Sequence, residues 1–207
     1  MSDTKPASAT PIPDSTLRGW LTRLGASRAN ARAGLVADTV VSVALFAAGA
    51  WYNRSGLLAV VATIAGGLLL FTFIEYCFHR WLFHGHENTV EAGHRKHHEE
   101  PAGYDALPFF LPPLGMVALA GILALLLPPD RALFFAAALA AGYAGYGLVH
   151  TAIHTLRFRN RLLARWAALH HIHHHHPERN FGVTTPLWDF ILGTRYVSAM
   201  AARRSVQ

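Results

Sequence analysis

Residues 75 to 105 read EYCFHRWLFHGHENTVEAGHRKHHEEPAGYD and follow directly on an apolar segment. This stretch holds six of the fourteen histidines of the chain, and the other eight lie past residue 149 in the runs HTAIH and HHIHHHH. Nearly the whole interval between the two sets is apolar. The spacing indicates that distant parts of the chain contribute imidazoles to one site, which we interpret as a metal site held at a membrane surface.

The composition is typical of an integral membrane protein. Of the 207 residues, 52% are hydrophobic and only 14% are charged, and the mean hydropathy is +0.25. The single cysteine, Cys77, excludes an internal disulfide and a thiolate-only metal centre, so metal binding must rest on histidine with or without carboxylates. The net charge of +6 is explained by orientation against anionic lipid, and we predict no nucleic-acid partner.

Four apolar segments, at about 35–52, 57–78, 107–127 and 131–153, are each near the ~20 residues that a membrane-spanning helix needs. The link NRSG joins the first two segments and the link PPDR joins the last two, so each pair is predicted to form a tight hairpin. The sequence therefore predicts an all-α membrane protein with four transmembrane helices in two hairpins. A cytoplasmic helical cap, formed by residues 79–106 and 154–195, is predicted to carry the histidine clusters.

The positive charges predict the orientation of these spans. Sixteen of the eighteen Lys and Arg residues lie outside the two short links, which carry only Arg54 and Arg131. By the positive-inside rule, both termini and every histidine cluster face the cytoplasm. Residues 1–34 are predicted to be a disordered leader followed by a basic amphipathic helix on the membrane surface, residues 35–195 the membrane domain, and residues 196–207 a short tail.

Most of the histidines fall at helical spacing. His94, His97 and His98 stand at i, i+3 and i+4, which places three imidazoles on one face of a helix. His150 and His154 stand at i and i+4 at the end of the fourth apolar segment, again on one face. Each cluster is therefore suited to present several imidazoles to one point.

The last cluster has two registers. His170, His173 and His174 repeat the spacing of the first triplet, and so do His171, His174 and His175. Spacing alone leaves both registers open.

His79 and His84 are less regular, because five residues turn an α-helix by about 500° and leave the two side chains roughly 140° apart. They can converge only if the helix ends or loosens between them. Together the four clusters supply ten imidazoles, more than one ion can bind, so we infer two metal ions. Imidazole suits iron, zinc, copper and nickel, and the ligand type alone does not choose between them.

At this point the motifs resemble the fatty acid hydroxylase and sterol desaturase superfamily of membrane di-iron enzymes. The family pattern His-x4-His, His-x-x-His-His, His-x3-His, His-x-x-His-His is matched by HRWLFH from His79, HRKHH from His94, HTAIH from His150 and HHIHH from His170. The run RNFGVTTPLWDFILGT, residues 179–194, resembles the closing segment of the family, and its distance from the last histidine pair favours the His170 register. The resemblance covers about residues 60 to 195 and is nearest to the fatty acid 2-hydroxylase branch.

The resemblance implies an oxidoreductase that uses dioxygen and external electrons to hydroxylate a lipid, with no separate acid or base from the protein. The expected substrate is the acyl chain of a fatty acid or sphingolipid that enters from the bilayer, and the expected electron donor is of the cytochrome b5, rubredoxin or ferredoxin type. The expected cofactors are two iron ions, which zinc can replace in a purified sample, with no haem and no flavin. The implied metal ligands are His79, His84, His94, His97, His98, His150, His154, His170, His173 and His174.

Two further sets of residues are expected around this centre. Carboxylate and amide side chains near the clusters are expected to accept hydrogen bonds from the outer nitrogens of the ligating imidazoles. These residues are Glu75, Asp105, Asn180 and Asp189. The candidates for lining an acyl channel are Phe71, Phe73, Phe78, Phe109 and Phe110.

Two alternatives remain at this level. A sterol or carotenoid hydroxylase or desaturase would use the same centre on another lipid. A histidine-rich membrane metal transporter would need polar groups near the middle of the bilayer, and the spans offer little beyond Thr39, Ser42, Thr63 and Thr72.

Overall fold

The computed structural model describes residues 16–104 and 106–198, and within these ranges its secondary structure is helical with no strand. The predicted all-α class is therefore confirmed. The helices are α1 Leu17–Gly25, α2 Arg28–Trp51, α3 Leu57–Cys77, a π-helix Phe78–Phe83, α4 Thr89–Glu99, α5 Leu111–Leu123, α6 Pro129–Thr155, α7 Arg161–His175 and α8 Leu187–Ile191.

Three of these helices are long and apolar enough to cross a membrane: Arg28–Trp51, Leu57–Phe83 and Pro129–Thr155. The chain is thus a membrane protein, as predicted. The third predicted span, residues 107–127, contains the 13-residue helix α5. At 1.5 Å per residue such a helix covers about 20 Å, short of the ~30 Å of hydrocarbon in a bilayer.

Prolines explain why α5 is short. Pro112 and Pro113 occupy the first turn of α5, where a missing N–H is tolerated, so the helix begins there rather than earlier. At the other end, the chain leaves the α-helix in a hydrogen-bonded turn in which the N–H of Leu127 donates to the carbonyl of Leu123 at 2.8 Å. Pro128 then caps α6.

Helix α6 lies at the centre of the bundle and packs against α2, α3 and α5. Its alanine-rich middle is fully buried, and small residues let the helices approach closely. A Cβ added to Gly142 would lie 2.4 Å from the ring of Phe71 on α3, and one added to Gly49 on α2 would lie 3.0 Å from the ring of Phe134. Bulk from a neighbouring helix thus fills the space that each glycine leaves.

The two short links meet at one end of the bundle, as expected for hairpins that open toward the same side. One carboxylate oxygen of Asp130 accepts hydrogen bonds from the backbone N–H groups of Arg54 and Ser55, each at 3.0 Å. The opposite end of α3 and α6 is therefore free to carry the histidines.

The first span contains an acidic residue in addition to the threonines and serine named from the sequence. Asp38 lies in the middle of α2 and is only 7% exposed. One turn further along the same buried face, the hydroxyl of Ser42 donates to the carbonyl oxygen of Ala137 on α6 at 3.2 Å. The interface between α2 and α6 therefore contains polar groups as well as alanines.

Candidate metal centre

A π-helix brings His79 and His84 together. Over Phe78–Phe83 the backbone leaves the α-helical pattern, and the wider i to i+5 turn of a π-helix sets residues five apart nearly above one another. The ring centroids of His79 and His84 are 5.2 Å apart. The helix thus loosens between these two residues, as their spacing required.

A side-chain cap sets the start of α4. The Asn88 side-chain oxygen accepts hydrogen bonds from the backbone N–H groups of Val90 at 2.8 Å and Glu91 at 3.0 Å. From this start, the spacing of the three α4 histidines turns two of them toward the π-helix and one toward α6. The triplet is therefore divided between two groups of histidines.

The first histidine group combines the π-helix region, α4 and α7. Its five ligand nitrogens all lie within 4.8 Å of one another. The Nε2 atom of His94 is 3.1 Å from that of His79, 3.0 Å from that of His84 and 3.1 Å from that of His98. The members are His79, His84, His94, His98 and His173.

The second histidine group combines α4, α6 and α7, with the same 4.8 Å limit between ligand nitrogens. The Nε2 atom of His154 is 3.3 Å from that of His150 and 3.0 Å from that of His170. The Nε2 atom of His97 is buried and has no hydrogen-bond partner among the described residues. The members are His97, His150, His154, His170 and His174.

These arrangements fit metal ions better than hydrogen bonds between imidazoles. An imidazole nitrogen carries at most one proton, so the Nε2 of His94 cannot form hydrogen bonds with three other Nε2 atoms at once. Two nitrogens bound at about 2.1 Å to one ion and about 90° apart lie about 3.0 Å from each other, close to the observed separations. The partnerless Nε2 of His97 would likewise be satisfied by an ion.

Backbone carbonyls fix the tautomers of two ligands. The Nδ1–H of His79 donates to the carbonyl oxygen of Phe181 at 2.5 Å, and the Nδ1–H of His173 donates to that of Arg179 at 2.7 Å. Each bond leaves the Nε2 lone pair free to face the first histidine group. Both carbonyls belong to the closing segment, residues 179–194.

Of the side chains predicted to accept these hydrogen bonds, Asp189 and Glu75 act on the closing segment instead. The carboxylate of Asp189 accepts from the backbone N–H groups of Phe181 and Gly182, each at 2.8 Å. The carboxylate of Glu75 accepts from the N–H of Val183 at 2.6 Å and from the hydroxyl of Thr184. The predicted direct contact with imidazole is therefore replaced by an indirect one.

Asn180 also serves the backbone rather than a histidine. Its side-chain N–H donates to the carbonyl of Leu169 at 3.1 Å, and its side-chain oxygen accepts from the N–H of Tyr196 at 2.8 Å. Its φ of 55° is left-handed, a conformation in which asparagine is enriched among non-glycine residues. Asp105, the fourth residue of this set, lies outside the described residues.

Burial favours the neutral form of the imidazoles on α4 and α7. Loss of solvation, together with the smaller effect of neighbouring imidazoles, lowers the pKa of His97 to about 4, that of His173 to about 3 and that of His174 to about 2. The same causes lower the pKa of His94. Neutral imidazole is the form that binds a metal.

In the last cluster, the structure buries residues of the register that begins at His170. His170 and His173 are 1% and 0% exposed, whereas His171 and His175 are exposed. Only the His170, His173, His174 set contributes to the two groups.

The five phenylalanines predicted to line an acyl channel have different surroundings. Phe71 is buried against α6, and Phe73 packs on Trp188 with ring centroids 4.7 Å apart. Phe78, Phe109 and Phe110 are 51%, 40% and 38% exposed. Their role in an acyl channel stays a prediction.

A cleft of about 410 Å³ reaches the first histidine group from outside. Five of the residues that line it are Arg80, Trp81, His84, Phe181 and Thr194. Sequence reasoning did not single out this cleft or the carbonyls of Arg179 and Phe181, because a backbone carbonyl has no side-chain signature. The available signal was the asparagine-phenylalanine-glycine turn of the closing segment.

Comparisons with known proteins agree with this geometry. The sequence model of the fatty acid hydroxylase family matches residues 64–194. The chain is 29% identical over 153 residues to the dihydroceramide fatty acyl 2-hydroxylase FAH2 of Arabidopsis thaliana, covering 69% of this chain and 64% of that protein. It is 30% identical over 142 residues to the ceramide very long chain fatty acid hydroxylase scs7 of Schizosaccharomyces pombe, covering 62% of this chain and 40% of that protein.

A solved structure shares the fold. The structure described as full-length scs7p, with only the hydroxylase domain visible, superposes with a TM-score of 0.71 at 25% identity and covers 87% of this chain and 71% of that one. The family match covers more than half of the chain and includes all four histidine motifs. The chain therefore belongs to the fatty acid hydroxylase family.

Proposed function

We propose that this chain is a membrane-bound di-iron oxygenase that hydroxylates the acyl chain of a fatty acid or sphingolipid. The observation that carries the proposal is the pair of adjacent five-histidine groups, because ten converging imidazoles form two similar sites. The stacked rings of His98 and His174, with centroids 4.3 Å apart, join the two groups. Such closeness suits a reaction that needs both ions.

The ligands proposed for the two ions are the ten histidines of the two groups. When bound, two iron ions supply the reduction of dioxygen and the attack on an unactivated carbon–hydrogen bond, which no side chain performs. Iron is proposed over zinc because of the family, and because five imidazoles exceed the four ligands typical of zinc.

The residues of the chain hold and shield this centre. The carbonyls of Phe181 and Arg179 orient two ligands through hydrogen bonds of 2.5 and 2.7 Å. The ring of Phe181 is 5% exposed and lies 5.7 to 6.0 Å from the rings of His79, His84 and His173. It therefore keeps water from one side of the first histidine group.

A lipid substrate is supported by the surface of the bundle. Helix α5 exposes Leu111, Leu114, Val117 and Ile122 at 50% or more, as expected of a surface that faces acyl chains. We propose that the apolar residues flanking α5 extend it to a fourth crossing of the membrane. The names of the relatives, which concern fatty acyl chains, favour such a substrate over a sterol or carotenoid.

Orientation and electron supply complete the proposal. The excess of positive charge supports a cytoplasmic position for the histidine groups and both termini. Electrons would come from an external donor of the cytochrome b5, rubredoxin or ferredoxin type. Four exposed arginines between α6 and α7 and on α7 offer a docking face for an acidic donor. They are Arg157, Arg159, Arg161 and Arg165.

The first test measures metal and product together. The purified chain, expressed with added iron, should contain two iron ions, and cells that express it should accumulate acyl chains hydroxylated at C2. The matched variant is His94→Ala, which removes the nitrogen at the centre of the first histidine group and should lower the iron content to about one ion and abolish the hydroxylated product. If the chain bound metal and carried it into vesicles but produced no hydroxylated lipid, these results would favour a metal transporter over an enzyme.

A further inference from the structure

The cleft beside His84 contains a positively charged side chain that has no anionic partner. Arg80 lines this cleft and follows the proposed ligand His79 in the π-helix. Within residues 16–104 and 106–198, no carboxylate forms an ion pair with Arg80. Its one hydrogen bond goes from Nη1 to the hydroxyl oxygen of Tyr76 at 2.8 Å. A guanidinium has five N–H donors, so most of them are available to a ligand.

Aromatic rings hold the guanidinium of Arg80 in place. Its central carbon lies 5.2 Å from the ring centre of Trp81 and 5.9 Å from those of Tyr76 and Phe181. The same Phe181 ring is 5.9 Å from the ring of His84. Arg80 and His84 therefore line the same cleft and both lie beside the ring of Phe181.

The position of this charge matches the chemistry of the proposed reaction. Oxidation at C2 of an acyl chain requires that the neighbouring C1, with its oxygen atoms, lie beside the metal ions, while the tail points away. A site for C2 therefore needs a polar group next to the histidines. The planar fork of an arginine matches the two oxygens of a carboxylate.

We propose that the cleft is the site for the carboxylate end of a free fatty acid, and that Arg80 binds the C1 oxygens and selects acids over neutral acyl esters. This inference rests on the proposed function, because it assumes an acyl substrate oxidised near C1. Arg80 is a specificity-determining residue in this scheme. Glu178, on the rim of the same cleft and 65% exposed, modestly opposes anion binding.

The test compares two lipids that differ only at C1, stearic acid with its carboxylate and methyl stearate with its neutral ester, each with a nitroxide on C5. Binding to the metal-loaded full chain in detergent, at about pH 8 where the carboxyl is ionised, is followed by quenching of tryptophan fluorescence. The part of the quenching that is lost in Trp81→Phe reports the cleft. Because this is a binding measurement, it needs neither electrons nor turnover.

In the native chain the acid should bind at least tenfold more tightly than the ester. Arg80→Met should weaken the acid about tenfold, as expected for the loss of hydrogen bonds to a charged group, and should change the ester less than twofold. Arg80→Lys should bind the acid with an affinity between those of the native chain and Arg80→Met. Glu178→Gln should strengthen binding of the acid up to about threefold, as expected for the removal of a screened surface charge. Arg95→Met, which removes an exposed arginine paired with Glu91 on α4, is the matched control and should change neither lipid.

Equal binding of acid and ester in the native chain would overturn the inference, and so would a preference for the acid that persists in Arg80→Met. If Arg80→Met loses its metal, the ratio of the affinities for acid and ester is measured in Arg80→Lys instead. A ratio equal to the native one would then overturn the inference. Failure of the proposed function would show itself differently, as a native chain that holds no iron or binds neither lipid.

Discussion

The Nδ1 atom of His79 lies 2.5 Å from the carbonyl oxygen of Phe181, although 102 residues separate the two in the chain. The N–H of Gly182, which shares a peptide unit with this carbonyl, donates to the carboxylate of Asp189 at 2.8 Å. A carboxylate therefore orients a proposed metal ligand through one peptide unit rather than by direct contact. The closing segment is thus part of the proposed metal centre, although none of its residues belongs to either histidine group.

Asp189→Asn should weaken metal binding without removing a ligand. The amide has one acceptor oxygen where the carboxylate has two, so its NH₂ group would face the N–H of either Phe181 or Gly182. An unsatisfied buried donor costs about 1–3 kcal/mol, and disturbance of groups that orient metal ligands lowers affinity about 10- to 100-fold. Competition with a chelator for bound zinc measures this affinity.

The control for this change is Glu87→Gln, which alters an exposed acid between the π-helix and α4. It should bind metal as the native chain does. An affinity of Asp189→Asn within twofold of the native value would contradict the indirect role of the carboxylate.

His97→Ala should remove one ion of the two. Within the part of the chain that the structure describes, the buried Nε2 of His97 has no hydrogen-bond partner and belongs to the second histidine group only. The first group keeps all five of its nitrogens in this variant. Elemental analysis of the purified protein gives the metal-to-protein ratio.

His86→Ala is the matched control for this loss. His86 is exposed and belongs to neither group, so its ratio should equal that of the native chain. Loss of both ions in His97→Ala would show that the two groups do not bind metal independently.

The register of the last cluster is tested by a pair of neighbours. His170→Ala should lower the metal content, because His170 is 1% exposed and its Nε2 lies 3.0 Å from that of His154. His171→Ala should leave the content unchanged, because this imidazole is exposed. The reverse result in the same elemental analysis would assign the ligands to His171, His174 and His175.

Side-chain periodicity predicted the helical class and the histidine clusters, because imidazoles at i, i+3 and i+4 must share a helix face, whereas the resemblance to the family chose the register of the last cluster. It did not predict how the histidines are divided between the two groups. His97 and His98 are adjacent, yet they belong to different groups because α4 lies between the π-helix and α6. Such a division depends on the packing of helices, which residue spacing does not contain.

Two other predictions concern features that residue spacing does not fix. The apolar stretch 107–127 predicts a span, and within it the structure forms the 13-residue helix α5 between Pro112 and Pro113 at the start and the turn ending at Leu127. Phe71 and Phe78 were grouped as channel candidates by their shared side chain, and one is 7% and the other 51% exposed. Residue type does not report which face of a helix meets a neighbour.

Gly85→Ala should distort the end of the π-helix and disturb the first histidine group. A Cβ at this position would lie 2.0 Å from the carbonyl oxygen of Trp81, a backbone atom that cannot move aside alone. We expect a loss of about 1–3 kcal/mol in stability, as for other overpacked sites, together with weaker metal binding by the adjacent His84. Thermal unfolding in detergent and the metal-to-protein ratio measure the two effects.

Gly115→Ala provides the comparison, since a Cβ there meets nothing within 4 Å and the residue lies inside α5. It should leave metal binding unchanged and raise stability by up to about 1 kcal/mol, because alanine is the better helix former. If Gly85→Ala behaved in the same way, the tight turn after Phe83 would not be needed to bring His79 and His84 together. If Gly85→Ala were destabilised but kept the native metal content, the turn would matter for stability and not for metal binding.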